Sequence, residues 1–170
     1  MPRVVLFQPE IPPNTGNVAR TCAATASELH LIEPLGFSLE DRYLRRAGLD
    51  YWPLVQLHRH RDGNAFLAER GRLGGRLVAL SARASSDYSR FRFQPSDWLL
   101  FGRESDGLPP DLLERADARL TIPIEVSTQH GQAGVRSLNL SVAVGVVLFE
   151  ALRQLRQPIS SGHAASDSVG

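Results

Sequence analysis

The sequence predicts an α/β protein with a mostly parallel β-sheet flanked by helices. Short apolar runs alternate with helical segments along most of the chain, which is typical of parallel sheets. Two of these runs, RLVAL and DWLLF, show little polar alternation, as expected for strands covered on both faces. Polar loops follow several of the runs, at the place where such sheets bind ligands. A length of 170 residues fits one domain with a substantial core.

The elements follow from apolar runs and capping residues. Strands are predicted over residues 3–7, 29–33, 54–57, 76–80, 97–101 and 118–124. Helices are predicted over residues 16–27, 38–47, 62–70, 109–116 and 137–155. Ser38 is the predicted N-cap of the second helix, and Pro109 and Pro110 open the fourth. Residues 158–170 are rich in Ser and Gly and are predicted to be a disordered tail, which leaves 1–157 as the domain.

The last predicted helix is apolar on every side between Val142 and Phe149. A helix of this kind must contact more than one surface. It is either a central core helix or a helix with the core on one side and a partner subunit on the other.

Composition limits the classes of function. The longest apolar run is too short to span a bilayer, and MPRVVLFQPE lacks the apolar stretch of a signal peptide, so the cytoplasm is expected. The single cysteine, Cys22, excludes an internal disulfide framework. A net charge of +1 does not predict a strongly basic nucleic-acid binder. All nineteen basic residues are arginine, which reflects either codon bias or a need for phosphate-binding guanidinium groups.

Several well-known motifs are missing from the sequence. The first strand is not followed by GxGxxG, and neither a P-loop nor a GxSxG elbow occurs. The five histidines show no metal-ligand spacing with Cys22, so no metal site is predicted.

Three polar segments follow predicted strands: PEIPPNTGNVAR at 9–20, FGRESDGLP at 101–109, and the stretch from Ile122 to Ser141. Helix capping alone explains the asparagines and serines of the first and third segments, and a solvated loop charge explains Glu104. In a parallel sheet, however, all three segments gather at one edge, which is the usual place for a bound nucleotide.

Together these segments resemble the three motifs of the SPOUT (SpoU–TrmD) methyltransferases, and most closely those of the TrmL-type tRNA 2′-O-methyltransferases. LHLIEPLGF and RRAGLDYW resemble the intervening segments, so the likeness covers about residues 3–156. It implies a SPOUT-type domain with a deep trefoil knot near its C-terminus, although knots are otherwise nearly absent from proteins. It also implies a homodimer whose sites lie near the subunit interface.

The resemblance further implies S-adenosyl-L-methionine as cofactor, held by the motif loops. The implied cofactor-binding positions are Leu80, Gly102, Glu104, Ile122, Ile124, Ser137 and Leu138. The segment between Ile124 and Ser137, which is expected to lie beside this site, is longer than is usual in TrmL-type proteins.

The implied reaction is methyl transfer to the ribose 2′-hydroxyl of the tRNA wobble nucleotide, position 34, cytidine or uridine, with leucine tRNAs as the expected substrates. Arg20 matches the arginine of the first motif. Because arginine stays protonated, a clamp on the RNA phosphate suits it better than a role as general base. Asn14 is expected to order the loop of Arg20, and Glu104 and Asn139 to shape the catalytic pocket. The chemistry requires no metal.

Arg42, Arg45 and Arg46 are candidates for contacts with the tRNA backbone in the anticodon region, or else form a solvated face. Two other functions stay open at this point. One is 2′-O-methylation of another tRNA position or of ribosomal RNA, and the other is a non-catalytic RNA-binding or assembly role for the same fold.

Overall fold

The computed structural model describes residues 1–39, 51–125, 135 and 137–156. Its centre is a sheet of seven strands in the order β3-β2-β1-β6-β4-β7-β5, and every neighbouring pair is parallel. The strands are β1 Arg3–Phe7, β2 Leu29–Ile32, β3 Leu57–His60, β4 Leu77–Leu80, β5 Ser86–Asp87, β6 Trp98–Phe101 and β7 Ala118–Thr121. The predicted α/β class is confirmed.

Helices connect the strands and cover the sheet. The described α-helices are α1 Pro12–Thr25, α2 Gly63–Leu73, α3 Pro110–Glu114 and α4 Leu140–Arg156. Two short 3-10 helices lie at Trp52–Leu54 and Tyr88–Arg90. The Asp62 carboxylate caps α2 by accepting a hydrogen bond of 2.8 Å from the amide of Ala65.

The two faces of the sheet bury two apolar clusters, because side chains alternate along each strand. Val4 and Leu6 of β1 pack on one side with α1 and α4, whereas Val5 and Phe7 pack on the other with α2 and α3. Central strands are therefore buried on both faces, as their continuous apolar runs predict. Trp98 fills the second cluster, and its indole Nε1 donates to the Gly74 carbonyl at 2.8 Å.

Two predicted strands differ from the structure by three residues at an end, and the other predicted strands differ by at most one. The third strand is not 54–57 but Leu57–His60, and Leu54 belongs to the preceding 3-10 helix. This edge strand carries polar residues that give no apolar signal. The strand predicted to run to Ile124 ends at Thr121, and Pro123, which has no amide hydrogen to donate, follows shortly after. The two-residue strand β5 was too short to predict.

Two helix starts also differ. The first helix begins at Pro12 rather than Gly16, since consecutive prolines suit a first turn whose amides need no intrahelical partner. The last helix begins at Leu140 rather than Ser137. Asn139 precedes it as the N-cap, and its Oδ1 accepts a hydrogen bond of 2.9 Å from the amide of Ser141.

Some predictions fall on parts of the chain outside the described residues. These include the helix at 38–47 from residue 40 onward, the tail at 158–170, and Arg42, Arg45 and Arg46. The trefoil knot stays a prediction, because most of the connection from Glu125 to Ser137 also lies outside them. Within the described ranges, no helix has both the length and the apolar character needed to cross a membrane.

Candidate cofactor and substrate site

The carboxyl ends of three adjacent strands bring the predicted cofactor positions to one edge of the sheet. β4 lies between β6 and β7, and Leu80 pairs with Phe101 on one side and Leu120 on the other. Gly102 and Ile122 follow those neighbouring strands directly. Leu80, Gly102 and Ile122 therefore emerge side by side, at the position where parallel sheets bind ligands.

The loop after β6 turns back tightly on itself. Arg103 and Gly107 exchange two backbone hydrogen bonds of 3.1 Å each. A Cβ atom at Gly102 would lie 2.2 Å from the carbonyl carbon of Gly107, so only glycine fits this position. The turn leaves Glu104 at the tip of the loop.

The Glu104 carboxylate reaches the start of α1. It accepts hydrogen bonds from the amide of Glu10 at 2.8 Å, the amide of Ile11 at 3.3 Å and Nδ2 of Asn14 at 3.0 Å. Ile11 is the N-cap of α1 and has no side-chain oxygen, and the first turn of α1 contains no acidic residue. Glu104 thus supplies from a distant loop the negative charge that a helix N-terminus favours.

A second set of bonds ties the same two loops together. The Glu10 carboxylate accepts from the amide and the hydroxyl of Ser105, both at 2.9 Å. Arg103 donates to Oε1 of Gln8 at 3.0 Å and forms a bidentate pair with Asp106. The loops after β1 and β6 therefore hold each other through reciprocal carboxylate contacts.

Asn139 attaches the third motif to this arrangement. Its Nδ2 donates to Oδ1 of Asn14 at 2.9 Å, while Nδ2 of Asn14 donates to Glu104. Asn14 is only 6% exposed, and its amide uses its donor and acceptor ends for two different partners. We call Asn14, Glu104 and Asn139 the motif junction. It joins three segments that are far apart in sequence.

The predicted cofactor residues differ in burial. Leu80 and Ile122 are partly buried against the core, and Ile124 is partly buried just beyond β7. Ser137 and Leu138 are exposed immediately before Asn139, the residue that contacts Asn14.

Arg20 lies outside the motif junction. It is exposed on α1 about 9 Å along the helix axis from Asn14, at 1.5 Å per residue. Its guanidinium lies over the ring of Tyr51, 5.1 Å from the centroid. No carboxylate in the described part of the chain forms an ion pair with Arg20.

Sequence reasoning missed the contacts of Glu10, Ser105 and Tyr51. Glu10 and Ser105 lie inside two of the recognised motifs, but no local pattern pairs residues that are 95 positions apart. Two open clefts occur elsewhere, of about 500 Å³ beside Arg83 and Arg119 and of about 330 Å³ beside Glu33 and Arg59. Neither is lined by a predicted cofactor residue.

The sequence matches the model of the SpoU rRNA Methylase family over residues 1–149. The chain belongs to this family. A tRNA (cytidine(34)-2'-O)-methyltransferase of Burkholderia ambifaria is 49% identical over 153 residues, 89% of this chain and 94% of the relative. The protein of that name from Escherichia coli (strain K12) is 45% identical over 161 residues, 93% and 96% of the two chains.

Solved structures of SpoU-type proteins share the fold. One that concerns the 2-OH methylation of C/U34 on tRNA has a TM-score of 0.83 and 52% identity, covering 91% of this chain and 96% of that one. An AdoMet-bound rRNA methyltransferase from Sinorhizobium meliloti has a TM-score of 0.80 and 27% identity, covering 92% and 57%. The family and the fold class predicted from the motifs are confirmed.

Replacing Asn14 with aspartate tests the motif junction with almost no change in shape. In Asn14→Asp, a carboxylate faces Glu104 in place of the donating Nδ2, so a hydrogen bond to a charged group becomes a repulsion. We expect the free energy of unfolding at pH 7.5 to fall by about 2–3 kcal/mol, measured by urea denaturation.

The loss in the free energy of unfolding caused by Asn14→Asp should become smaller as the pH falls. In the folded variant the two facing carboxylates repel each other, and binding a proton relieves that repulsion, so the free energy of unfolding decreases with rising pH. The matched control is Asn17→Asp, at an exposed position of the same helix. Equal stability of the two variants at both pH 5 and pH 7.5 would contradict the role given to Asn14.

Proposed function

We propose that this SpoU family member transfers a methyl group from S-adenosylmethionine to the ribose 2′-hydroxyl of nucleotide 34 of tRNA. The observation that carries the proposal is near full-length similarity, at 45–49% identity, to proteins named tRNA (cytidine(34)-2'-O)-methyltransferase. The structural relative that concerns C/U34 supports cytidine or uridine as the modified nucleoside. Leucine tRNAs are the proposed substrates, and the cytoplasm is the proposed compartment.

The cofactor fits the edge formed by β4, β6 and β7. Leu80 and Ile122 offer partly buried apolar surface to a purine, and the backbone groups of Gly102 and Ser137 are proposed to bond its polar atoms. The AdoMet-bound relative with the same fold supports S-adenosylmethionine as the cofactor. When bound, S-adenosylmethionine would supply the methyl group as an electrophile on a positive sulfonium, so the protein has to bind and orient the reactants and assist loss of the hydroxyl proton.

The residues of this chain must place the ribose hydroxyl in line and help it lose a proton. S-adenosylmethionine would supply the methyl group and leave as S-adenosylhomocysteine, while the hydroxyl proton would pass to a phosphate oxygen of the RNA. We assign Arg20 to a phosphate of the RNA, where its fork can form two hydrogen bonds and bring a phosphate oxygen near the leaving proton. The Tyr51 ring under the guanidinium orients it. Glu104, Asn14 and Asn139 hold the surrounding loops, and Arg42, Arg45 and Arg46 are assigned to the tRNA backbone.

A second copy of this chain is the proposed partner for α4. Val142 and Phe149 lie seven residues apart on one side of the helix and are 50% and 53% exposed, whereas Val144 and Leu148 are buried in the core. The helix thus has the core on one side and an exposed apolar stripe on the other. A symmetric pairing of two such stripes would bury both.

Two alternatives stay distinct from this proposal. Methylation of ribosomal RNA is supported by the family description and by the Sinorhizobium relative, but this chain covers only 57% of that protein. A non-catalytic RNA-binding or assembly role would require no cofactor at the edge formed by β4, β6 and β7. The experiments below separate these possibilities.

The substrate is tested with purified protein, S-adenosylmethionine and leucine tRNA transcripts. We expect one 2′-O-methyl group at nucleotide 34, mapped by mass spectrometry of nuclease fragments. The matched control is the same tRNA with a 2′-deoxynucleotide at position 34, which lacks the accepting hydroxyl. Methylation of that control, or of ribosomal RNA alone, would overturn the assignment.

Arg20→Ala should separate catalysis from cofactor binding. Because Arg20 lies outside the motif junction, we expect the rate of methyl transfer to fall about 100-fold or more, with binding of S-adenosylhomocysteine changed by less than about twofold in calorimetry. Arg20→Lys should recover only part of the rate, since it keeps the charge but loses the bidentate fork. Arg72→Ala, on the surface of α2, is the control. A large loss of cofactor affinity in Arg20→Ala would refute the phosphate role.

Phe149→Glu should convert a dimer into a monomer, because it places a charge within the apolar stripe of α4. The mass is measured by light scattering after size exclusion. Leu73→Glu, on α2 and 41% exposed, is the control that should leave the mass unchanged. A monomeric native protein, or a dimeric Phe149→Glu variant, would contradict the assignment of α4 to the interface.

A further inference from the structure

A cluster of metal-ligating side chains lies at the opposite end of the sheet from the motif junction. Glu28 immediately precedes β2, and His30 of β2 lies opposite His58 of β3 in the parallel register. One ligand atom from each residue lies within 4.8 Å of the others. The sequence did not predict this cluster. Its two histidines lie on different strands, 28 residues apart, and show no metal-ligand spacing with each other or with Cys22.

The separations suit a small divalent cation. Nε2 of His30 lies 3.1 Å from Oε2 of Glu28, and Nε2 of His58 lies 3.6 Å from the same oxygen. Ligand bonds of 2.0–2.2 Å in a tetrahedral zinc site place ligand atoms about 3.3–3.6 Å apart. The His30 and His58 rings stack with centroids 4.4 Å apart, so His58 must turn its ring to aim at a shared ion. His58 is 47% exposed, which permits that turn and gives the ion a path from solvent.

A further histidine supports His30 from behind. Nδ1 of His30 lies 2.9 Å from Nε2 of His60 in a buried contact. If Nδ1 carries the proton and donates to His60, then Nε2 of His30 presents a lone pair toward Glu28. Metal-binding histidines characteristically donate their second N–H to such a partner, which fixes the tautomer and the ring orientation.

We propose that Glu28, His30 and His58 form a binding site for a divalent transition metal of the zinc type, with a fourth position open to water. A Glu-His-His set is a common zinc environment among proteins. The ion would link the edge strand β3 to β2, and it would neutralise the charge of the Glu28 carboxylate between the two imidazoles. The Arg3 guanidinium, whose Nε lies 3.3 Å from Oε2 of Glu28, would keep its contact with the Trp98 ring and move away from the shared oxygen.

This site is separate from methyl transfer. The metal ligands lie at the start of β2 and on β3, whereas the motif junction follows the ends of β1 and β6. The role proposed for the ion is to stabilise the sheet edge. Removal of the metal should therefore lower the melting temperature and leave the tRNA methylation rate unchanged.

The test uses the full chain without a polyhistidine tag, dialysed against EDTA and titrated with Zn²⁺ in competition with a chromogenic chelator. We expect one Zn²⁺ per chain and a Tm that rises with zinc. His58→Gln and Glu28→Gln should each weaken binding at least about tenfold and abolish the zinc-dependent rise in Tm. Glu33→Gln, beyond the far end of β2, and Cys22→Ala, which removes the only thiol, are controls that should bind zinc as the native chain does.

Circular dichroism establishes that each variant is folded. His58→Gln decides the outcome if Glu28→Gln does not fold, because His58 is half exposed on an edge strand. Absence of stoichiometric zinc binding by the native chain would overturn the proposal. Native zinc affinity in folded His58→Gln would overturn it equally.

Discussion

The carboxylate of Glu104 accepts three hydrogen bonds at the start of α1, and the arrangement of the candidate site depends on it. A helix N-terminus with the cap residue Ile11 provides no side-chain acceptor of its own. The loop after β6 supplies that acceptor, and Gly102 allows the loop to fold tightly enough to do so. Asn14 in turn accepts a hydrogen bond from Asn139, the N-cap of α4. One chain of hydrogen bonds thus sets the relative positions of two helices and one strand end.

This construction separates the rigid part of the site from its reactive part. The side chains of the motif junction form hydrogen bonds with one another and with the start of α1. The Glu104 carboxylate, its one charged group, therefore has a structural role. Arg20 is different, because it extends from the exposed side of α1 and rests on an aromatic ring instead of a carboxylate. In the proposed function this guanidinium binds an RNA phosphate, while the motif junction positions the loops.

Much of the site could be predicted from sequence because its residue types occur in recognisable segments. Alternating apolar runs predicted the parallel sheet, and a parallel sheet brings the motif loops to one edge. The contacts could not be predicted. No local pattern shows that Glu104 caps α1 or that Asn14 bridges two partners. Asn14 lies 90 positions from Glu104 and 125 positions from Asn139 in the sequence. The error at β3 has the same origin, since LHRH owes its strand conformation to pairing with β2.

The histidines show most clearly what sequence spacing cannot predict. Read along the chain, His30, His58 and His60 have no ligand spacing, yet strand pairing places them together beside Glu28. Sequence spacing detects metal sites made within one element or loop, whereas register between strands creates sites that only a structure reveals. The sheet therefore carries two polar clusters at its two ends, each built from residues that are distant in sequence.

The most direct test of the central claim is a crystal structure of the full chain with bound S-adenosylhomocysteine. The account predicts the adenosine between Leu80, Gly102 and Ile122, with Glu104 still bonded to Asn14 and Asn14 to Asn139. Product bound in the cleft beside Arg83 and Arg119, or a Glu104 released from Asn14 in the bound state, would contradict it.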